Sequence, residues 1–242
     1  MNQKETTLAL TFHPKAIASD LLTLKKATKG LLLIMVGAQL LTFALSADRS
    51  NLAWLSLFTG LAAVTNLALV DQGKQSNFFW GLLATSAWLL VAFHSRTFGD
   101  VFAQGFAFIM QFYGIHLWGK ARDASKGELK VKKMTKGLVL TTLVLTVLTY
   151  LTVLMVSKHL HGLQVYLDSA VLPLNIVGQI LMTYGYRFQW FFWILVDIVQ
   201  VMVWSKNLFV LDGSYAVSML VLQLVMLSNA LYGTWYWYQK TT

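Results

Sequence analysis

The chain has 242 residues, 57% of them hydrophobic and only 12% charged, with a formal net charge of +9. Soluble domains carry roughly a quarter charged residues. Here the apolar residues come in charge-free runs rather than stripes, which excludes a water-soluble globule. The lack of any cysteine excludes disulfides and thiol chemistry.

In chain order, residues 1–29 read as a cytoplasmic tail, and its part 11–29 fits either an amphipathic surface helix beginning at Pro14 or a disordered stretch. Charge-free runs then recur, most of them near or above the ~20 residues a helix needs to cross the hydrocarbon layer. In lipid the backbone must satisfy its own hydrogen bonds, so such runs imply helices rather than strands. The first run, 30–47, ends in Ala44-Leu45-Ser46-Ala47, small residues of the kind that follow a cleavable signal. Its preceding tail is long for a signal and the run has a counterpart later, so a retained helix is expected. Further spans are expected at 50–70, 75–93 and 100–119, then a basic loop, then 137–157. The last three are 162–185, with Asp168 near its start and Pro173 inside, 188–205, with Asp197 in its middle, and 213–238. Trp235-Tyr236-Trp237-Tyr238 before Lys240 reads as an interfacial anchor.

Eight spans put both termini on one side, together with the loops at Lys74, 120–136 and Arg187, and 15 of the 19 Lys and Arg residues fall there. Basic residues collect in cytoplasmic loops, so both termini are expected in the cytoplasm. The positive charge is thus a topology signal and, secondarily, a means of holding anionic lipid, not a nucleic-acid surface.

Internal similarity comes next. Lys25-Lys26-Ala27-Thr28-Lys29-Gly30-Leu31 reappears as Lys132-Lys133-Met134-Thr135-Lys136-Gly137-Leu138, an offset of 107. Asn77-Phe78-Phe79-Trp80 matches Trp190-Phe191-Phe192-Trp193 at 113, and Asp100 and Gln111 match Asp212 and Gln223 at 112. Two parallel four-helix repeats follow, an arrangement that transporters use with the substrate at the repeat interface. Gly60 and Pro173, paired at 113, read either as hinges for two rocking bundles or as static kinks.

Polar residues inside spans are costly and face a cavity or one another. Trp190, Trp193, Asp197 and Gln200 are spaced three, four and three apart, which sets them on one helix face. Two indoles, a carboxylate and an amide can stack a flat ring and balance a cation; an interfacial tryptophan and a structural carboxylate fit the same residues. Asn175 and Gln179 lie one turn apart, Gln179 pairs with Asn66 at 113, and Gln111 pairs with Gln223. These amides fit a shared central path or ordinary interhelical hydrogen bonds. No zinc-binding histidine pair, phosphate loop or catalytic constellation occurs, so neither a metal, a cofactor nor an enzyme activity is expected.

The segment Trp190 to Asp197 resembles the WxxWxxxD element of the PnuC family of vitamin transporters. Gly73-Lys74-Gln75-Ser76-Asn77, Phe98-Gly99-Asp100 and Met110-Gln111-Phe112-Tyr113-Gly114 are similar to that family's first half, although Gln104 stands where asparagine is expected. The resemblance implies an all-α membrane protein with a SWEET-like 3+1+3 arrangement and an extra N-terminal helix. The bundles would be 50–119 and 162–238, the basic loop plus linker helix 120–157, and the extra helix 30–47. It also implies a homotrimer in the bacterial inner membrane. The activity implied is facilitated diffusion of unphosphorylated nicotinamide riboside by alternating access, made effective by a cytoplasmic kinase. Trp190 and Trp193 would line the site. Thiamine, riboflavin and deoxynucleosides are alternative cargoes, and a non-transporting membrane scaffold is the alternative of another class.

Overall fold

The computed structural model describes residues 3–94, 98–123, 128–159, 165–209 and 216–240. Two short helices, α1 (Gln3–Phe12) and α2 (Pro14–Leu22), come first. Eight long ones follow: α3 (Lys26–Leu45), α4 (Asn51–Asp71), α5 (Asn77–His94), α6 (Phe98–Ala121), α7 (Lys136–His159), α8 (Val165–Thr183), α9 (Gln189–Phe209) and α10 (Ala216–Gln239). Between α6 and α7 a small hairpin pairs β1 (Arg122–Asp123) with β2 (Glu128–Leu129). The eight long helices lie where the apolar runs place them. By length and composition alone, α3, α4, α7 and α8 are long and apolar enough to cross a membrane among the described residues.

The tail is helical rather than disordered. Pro14 opens α2 as expected, with His13 capping it by accepting from the Lys15 N–H at 3.2 Å. This tail packs over the ends of α5 and α6. Asp20 accepts from the Ser76 N–H at 3.2 Å and its hydroxyl at 2.7 Å, and the Gln75 amide donates to Thr11 at 3.2 Å. A carboxylate at the start of α5 satisfies donors that the helix cannot.

Two glycine turns fix the register of the duplication. Gly73 after α4 and Gly185 after α8 adopt φ of +67° and +74°, the left-handed conformation that closes a helix. Gly73 N–H reaches the Val70 carbonyl and Lys74 N–H that of Leu69; Gly185 reaches Met182 and Tyr186 reaches Leu181, all at 2.9 Å. These pairs match at an offset of 112, as do the first bonds of α5 and α9. Phe78, not Asn77, is therefore the counterpart of Trp190. The pairings of Gly60 with Pro173 and of Asn66 with Gln179 at 113 are each one residue out of register, about 100° around a helix. The third helices follow another offset. Phe78 packs on Gly114 of α6 and Trp190 packs on Gly233 of α10, so Tyr113-Gly114 and Trp118 answer to Tyr232-Gly233 and Trp237 at 119. Gln111 thus corresponds to Ala230 rather than to Gln223, whose counterpart is Gln104.

The bundles α4–α6 and α8–α10 meet through their outer helices, α6 against α8 and α10 against α4. The hairpin strand seals their basic-loop ends: Leu129 N–H bonds to the Gly73 carbonyl at 2.9 Å and Lys132 N–H to the Gly185 carbonyl at 2.8 Å. Leu129 is buried in a core with Val70, Phe78, Trp118, Met182, Trp190 and Trp237. The helix α7 packs on α8 and α3 on α4, and α7 is otherwise bare. Its Thr142, Thr146, Thr149 and Thr152 hydroxyls bond back to carbonyls one turn earlier, which satisfies them in an apolar setting.

Candidate functional site

The α9 face carries its four residues as the spacing requires, but the structure gives them different surroundings. Trp190 lies in the sealed core, 1% exposed, with its ring edge-on to Trp237 at 5.8 Å. Gly233 makes room for it: a Cβ there would stand 2.6 Å from Cζ3 of the indole. One turn inward, Trp193 is half-buried and lies over Gly178 of α8, where a Cβ would come 3.2 Å from Cε2. Its N–H donates to Gln189 Oε1 at 3.3 Å. Asp197 follows, 4% exposed, with no hydrogen bond or ion pair to its carboxylate among the described residues. Gln200 is half-buried beyond it.

The α8 residues split likewise. Asn175 turns back on its own helix, donating to the Val171 carbonyl at 2.9 Å, next to the buried Pro173. Gln179, beside Gly178, is buried with its Nε2 lacking a partner among the described residues. Gln111 on α6 lies over Gly81, and its Oε1 is likewise unpartnered. Asn66 has a structural bond, donating to the Asn77 carbonyl at 2.7 Å and tying α4 to α5. Gly60 faces α3, where a Cβ would come 3.1 Å from Gln39 Cδ. Gln223 is buried on α10, within the second bundle. The structure thus sets Trp193 of α9 against Gly178 of α8, the neighbour of Gln179, with Trp190 one turn before it and Asp197 and Gln200 after it along α9. Asn66 and Gly60 sit in packing roles elsewhere.

Sequence reasoning missed several buried polar residues. Gln189 holds the Trp193 indole and keeps an unpartnered Nε2; its spacing of four before Trp193 was the available signal. At the basic-loop end, Asp71 is wholly buried, accepting from Asn229 at 3.3 Å, and Tyr232 meets Thr28 at 2.7 Å. Nearby, Glu128 bridges Lys240 at 2.6 Å and Lys74 at 3.8 Å. Burial holds the Lys240 ammonium below the usual lysine range, against the pull of Glu128. A groove between α3 and α10, lined by Leu31, Ile34, Val221 and Leu224, contains none of the candidate residues and is apolar as a lipid-facing surface is.

Two helical bundles in contact, with buried indoles and with amides that lack partners among the described residues, are the architecture of a membrane solute carrier. The chain belongs to the nicotinamide mononucleotide transporter family, whose model matches residues 53–239. It is 26% identical over 211 residues to the nicotinamide riboside transporter PnuC of Neisseria mucosa, covering 85% of this chain and 78% of that one. The PnuC of Haemophilus influenzae is also 26% identical, over 85% of this chain and 87% of its own. The crystal structure of the vitamin B3 transporter PnuC superposes with a TM-score of 0.74 at 25% identity, covering 89% of this chain and 92% of that one.

Proposed function

We propose that the protein takes up nicotinamide riboside by facilitated diffusion, with all eight long helices spanning the bacterial inner membrane and both termini in the cytoplasm. The observation that carries this reading is the α8–α9 contact, where Trp193 lies against Gly178, the neighbour of the buried Gln179 amide, and is followed one turn later on α9 by Asp197, a buried carboxylate without a partner among the described residues. A flat cationic ring matches these groups: stacking and cation–π attraction from the indole, counter-charge from Asp197, hydrogen bonds from amides.

Two names compete for the cargo, the mononucleotide of the family model and the riboside of the relatives, and charge favours the second. Helices α4, α5, α8 and α10 contain no Lys or Arg, and α9 has only Lys206 in its last turn. Within those five helices a phosphate would meet the carboxyl groups of Asp197 and Asp71 and no cation short of Lys206 at the end of α9. The 3+1+3 arrangement with α7 as linker and α3 as the extra helix, the homotrimer, alternating access between the bundles and trapping of the cargo by a cytoplasmic kinase complete the proposal.

The test is flux of labelled nicotinamide riboside into vesicles containing only this protein, with nicotinamide mononucleotide as competitor. Trp193→Ala abolishes saturable flux on this reading. Asp197→Asn lowers affinity by tenfold or more while leaving thermal stability unchanged or raised, since an unpaired buried charge costs the fold free energy. Loss of stability in Asp197→Asn with normal flux would assign the carboxylate to structure, and inhibition by the mononucleotide as strong as by the riboside would sink the charge argument.

A further inference from the structure

Trp118 and Trp237 occupy equivalent places near the ends of α6 and α10, and each indole reaches into the other bundle. The Trp118 N–H donates to the Met182 carbonyl of α8 at 3.1 Å. The Trp237 N–H donates to the carbonyls of Val70 at 3.2 Å and Asp71 at 2.8 Å, both on α4. Val70 and Met182 are themselves equivalent, each being the carbonyl that its glycine turn also engages. The two rings lie 6.2 Å apart, with Phe78 edge-on to Trp118 at 5.0 Å and Trp190 edge-on to Trp237. Both indoles are buried, 1% and 0% exposed.

From this geometry we infer that Trp118 and Trp237 form a reciprocal latch that holds the cytoplasmic side of the transport path shut. The inference rests on the alternating-access reading and assigns its closing element. Each latch bond crosses from one bundle to the other, so none survives rotation of one bundle against its neighbour. The Val70 and Met182 carbonyls keep their glycine-turn donors, but the indole N–H groups and the Asp71 carbonyl lose their partners and must find water, which arrives only if the path opens on that side. The four rings between the halves are the plug and the indole N–H groups are its catches. Trp190 serves the plug and Trp193, one turn inward, serves the cargo. These are positioning residues: neither Trp118 nor Trp237 needs to touch the solute.

The natural lack of cysteine makes a direct test available. A single reporter, Gln179→Cys, sits one turn inside Met182, and a membrane-impermeant maleimide is applied to sealed vesicles from either face. Replacing Trp118 or Trp237 by Phe keeps a ring in the plug and deletes the catch. Labelling from the cytoplasmic face is expected to rise roughly two- to tenfold for each change, the worth of about one buried neutral hydrogen bond. Trp237→Phe exceeds Trp118→Phe because its N–H serves two carbonyls, and the double variant multiplies the two effects. Labelling from the opposite face stays level or falls. Unchanged cytoplasmic labelling in both single variants overturns the latch, as does an equal rise from both faces, which is the mark of a loosened fold. Because labelling needs no substrate, a wild-type protein that fails to move nicotinamide riboside refutes the cargo assignment without touching this result.

Discussion

Gly233→Ala tests the packing on which both the plug and the site depend. The new Cβ would stand 2.6 Å from Cζ3 of Trp190, where carbon atoms prefer about 3.5–4.0 Å. The indole must therefore retreat by about 1 Å. It has nowhere to go cheaply, being 1% exposed and edge-on to Trp237. Overpacking of this kind costs about 1–3 kcal/mol, while alanine in place of glycine inside a helix returns about 1 kcal/mol. With the ring enclosed on all sides the cost belongs in the upper part of that range, about 2–3 kcal/mol, so the net expectation is a loss of about 1–2 kcal/mol in the stability of the detergent-purified protein, read from thermal unfolding. The atoms that clash all belong to the six-membered ring of the indole, so Trp190→Phe, with its shorter reach, relieves them. In a double-mutant cycle the pair should be less damaging than the sum of its parts by about 1 kcal/mol or more. Gly114→Ala against Phe78 should behave alike, because the two sites are equivalent under the repeat. Wild-type stability in Gly233→Ala, or strict additivity in the cycle, would refute the packing argument and with it the 119-residue register.

The other expectations concern the sealed end. Alanine at Gly73 or Gly185 forces a side chain into the left-handed region at about 1–2 kcal/mol each. Gly73→Ala should be the worse, since its Cβ also meets the Leu129 backbone nitrogen at 3.0 Å, whereas Gly185 meets only the end of the Leu129 side chain at 3.1 Å; melting curves of the two variants rank them. Glu128→Gln removes the carboxylate shared by Lys74 and Lys240 and should cost about 1–2 kcal/mol by leaving part-buried ammonium groups unpaired, with a smaller difference from wild type at high salt. The pH dependence has a definite sign: the folded-state pKa of Lys240 lies below 10.5, so between the two values the unfolded chain binds the proton and the folded one does not. The Lys240 contribution to stability therefore rises with pH through that alkaline window, and Lys240→Met should abolish the rise in a series of melting curves.

The sequence exposes the eight helices because lipid demands long runs free of charge, a signal that no neighbour can override. The register of the repeat is harder to read. Asn77-Phe78-Phe79-Trp80 and Trp190-Phe191-Phe192-Trp193 align at 113 by composition, but aromatic helix starts tolerate a slip of one residue. Only the positive φ of Gly73 and Gly185 and the bonds around them set 112. Glutamines matched at 112 conceal the second offset, whereas Tyr113-Gly114 with Trp118, and Tyr232-Gly233 with Trp237, display it openly. The packing of the tail is illegible for another reason. Asp20 and Thr11 are ordinary polar residues until α5 and α6 present Ser76 and Gln75 to them, and that meeting is tertiary.

Trp190 and Trp193 share a helix face, so sequence alone gives them one task. Their Cα atoms are separated by about 4.5 Å along the helix axis, and the proposed boundary between plug and site falls in that interval. Gly233 draws Trp190 into the sealed core, and Gly178 leaves Trp193 lying against α8 with its N–H held by Gln189. If the cargo stacks on Trp193 as proposed, it presses on the same turn that carries a wall of the proposed plug. Recognition and opening would then be coupled through a single helical turn, with no need for a longer path between them.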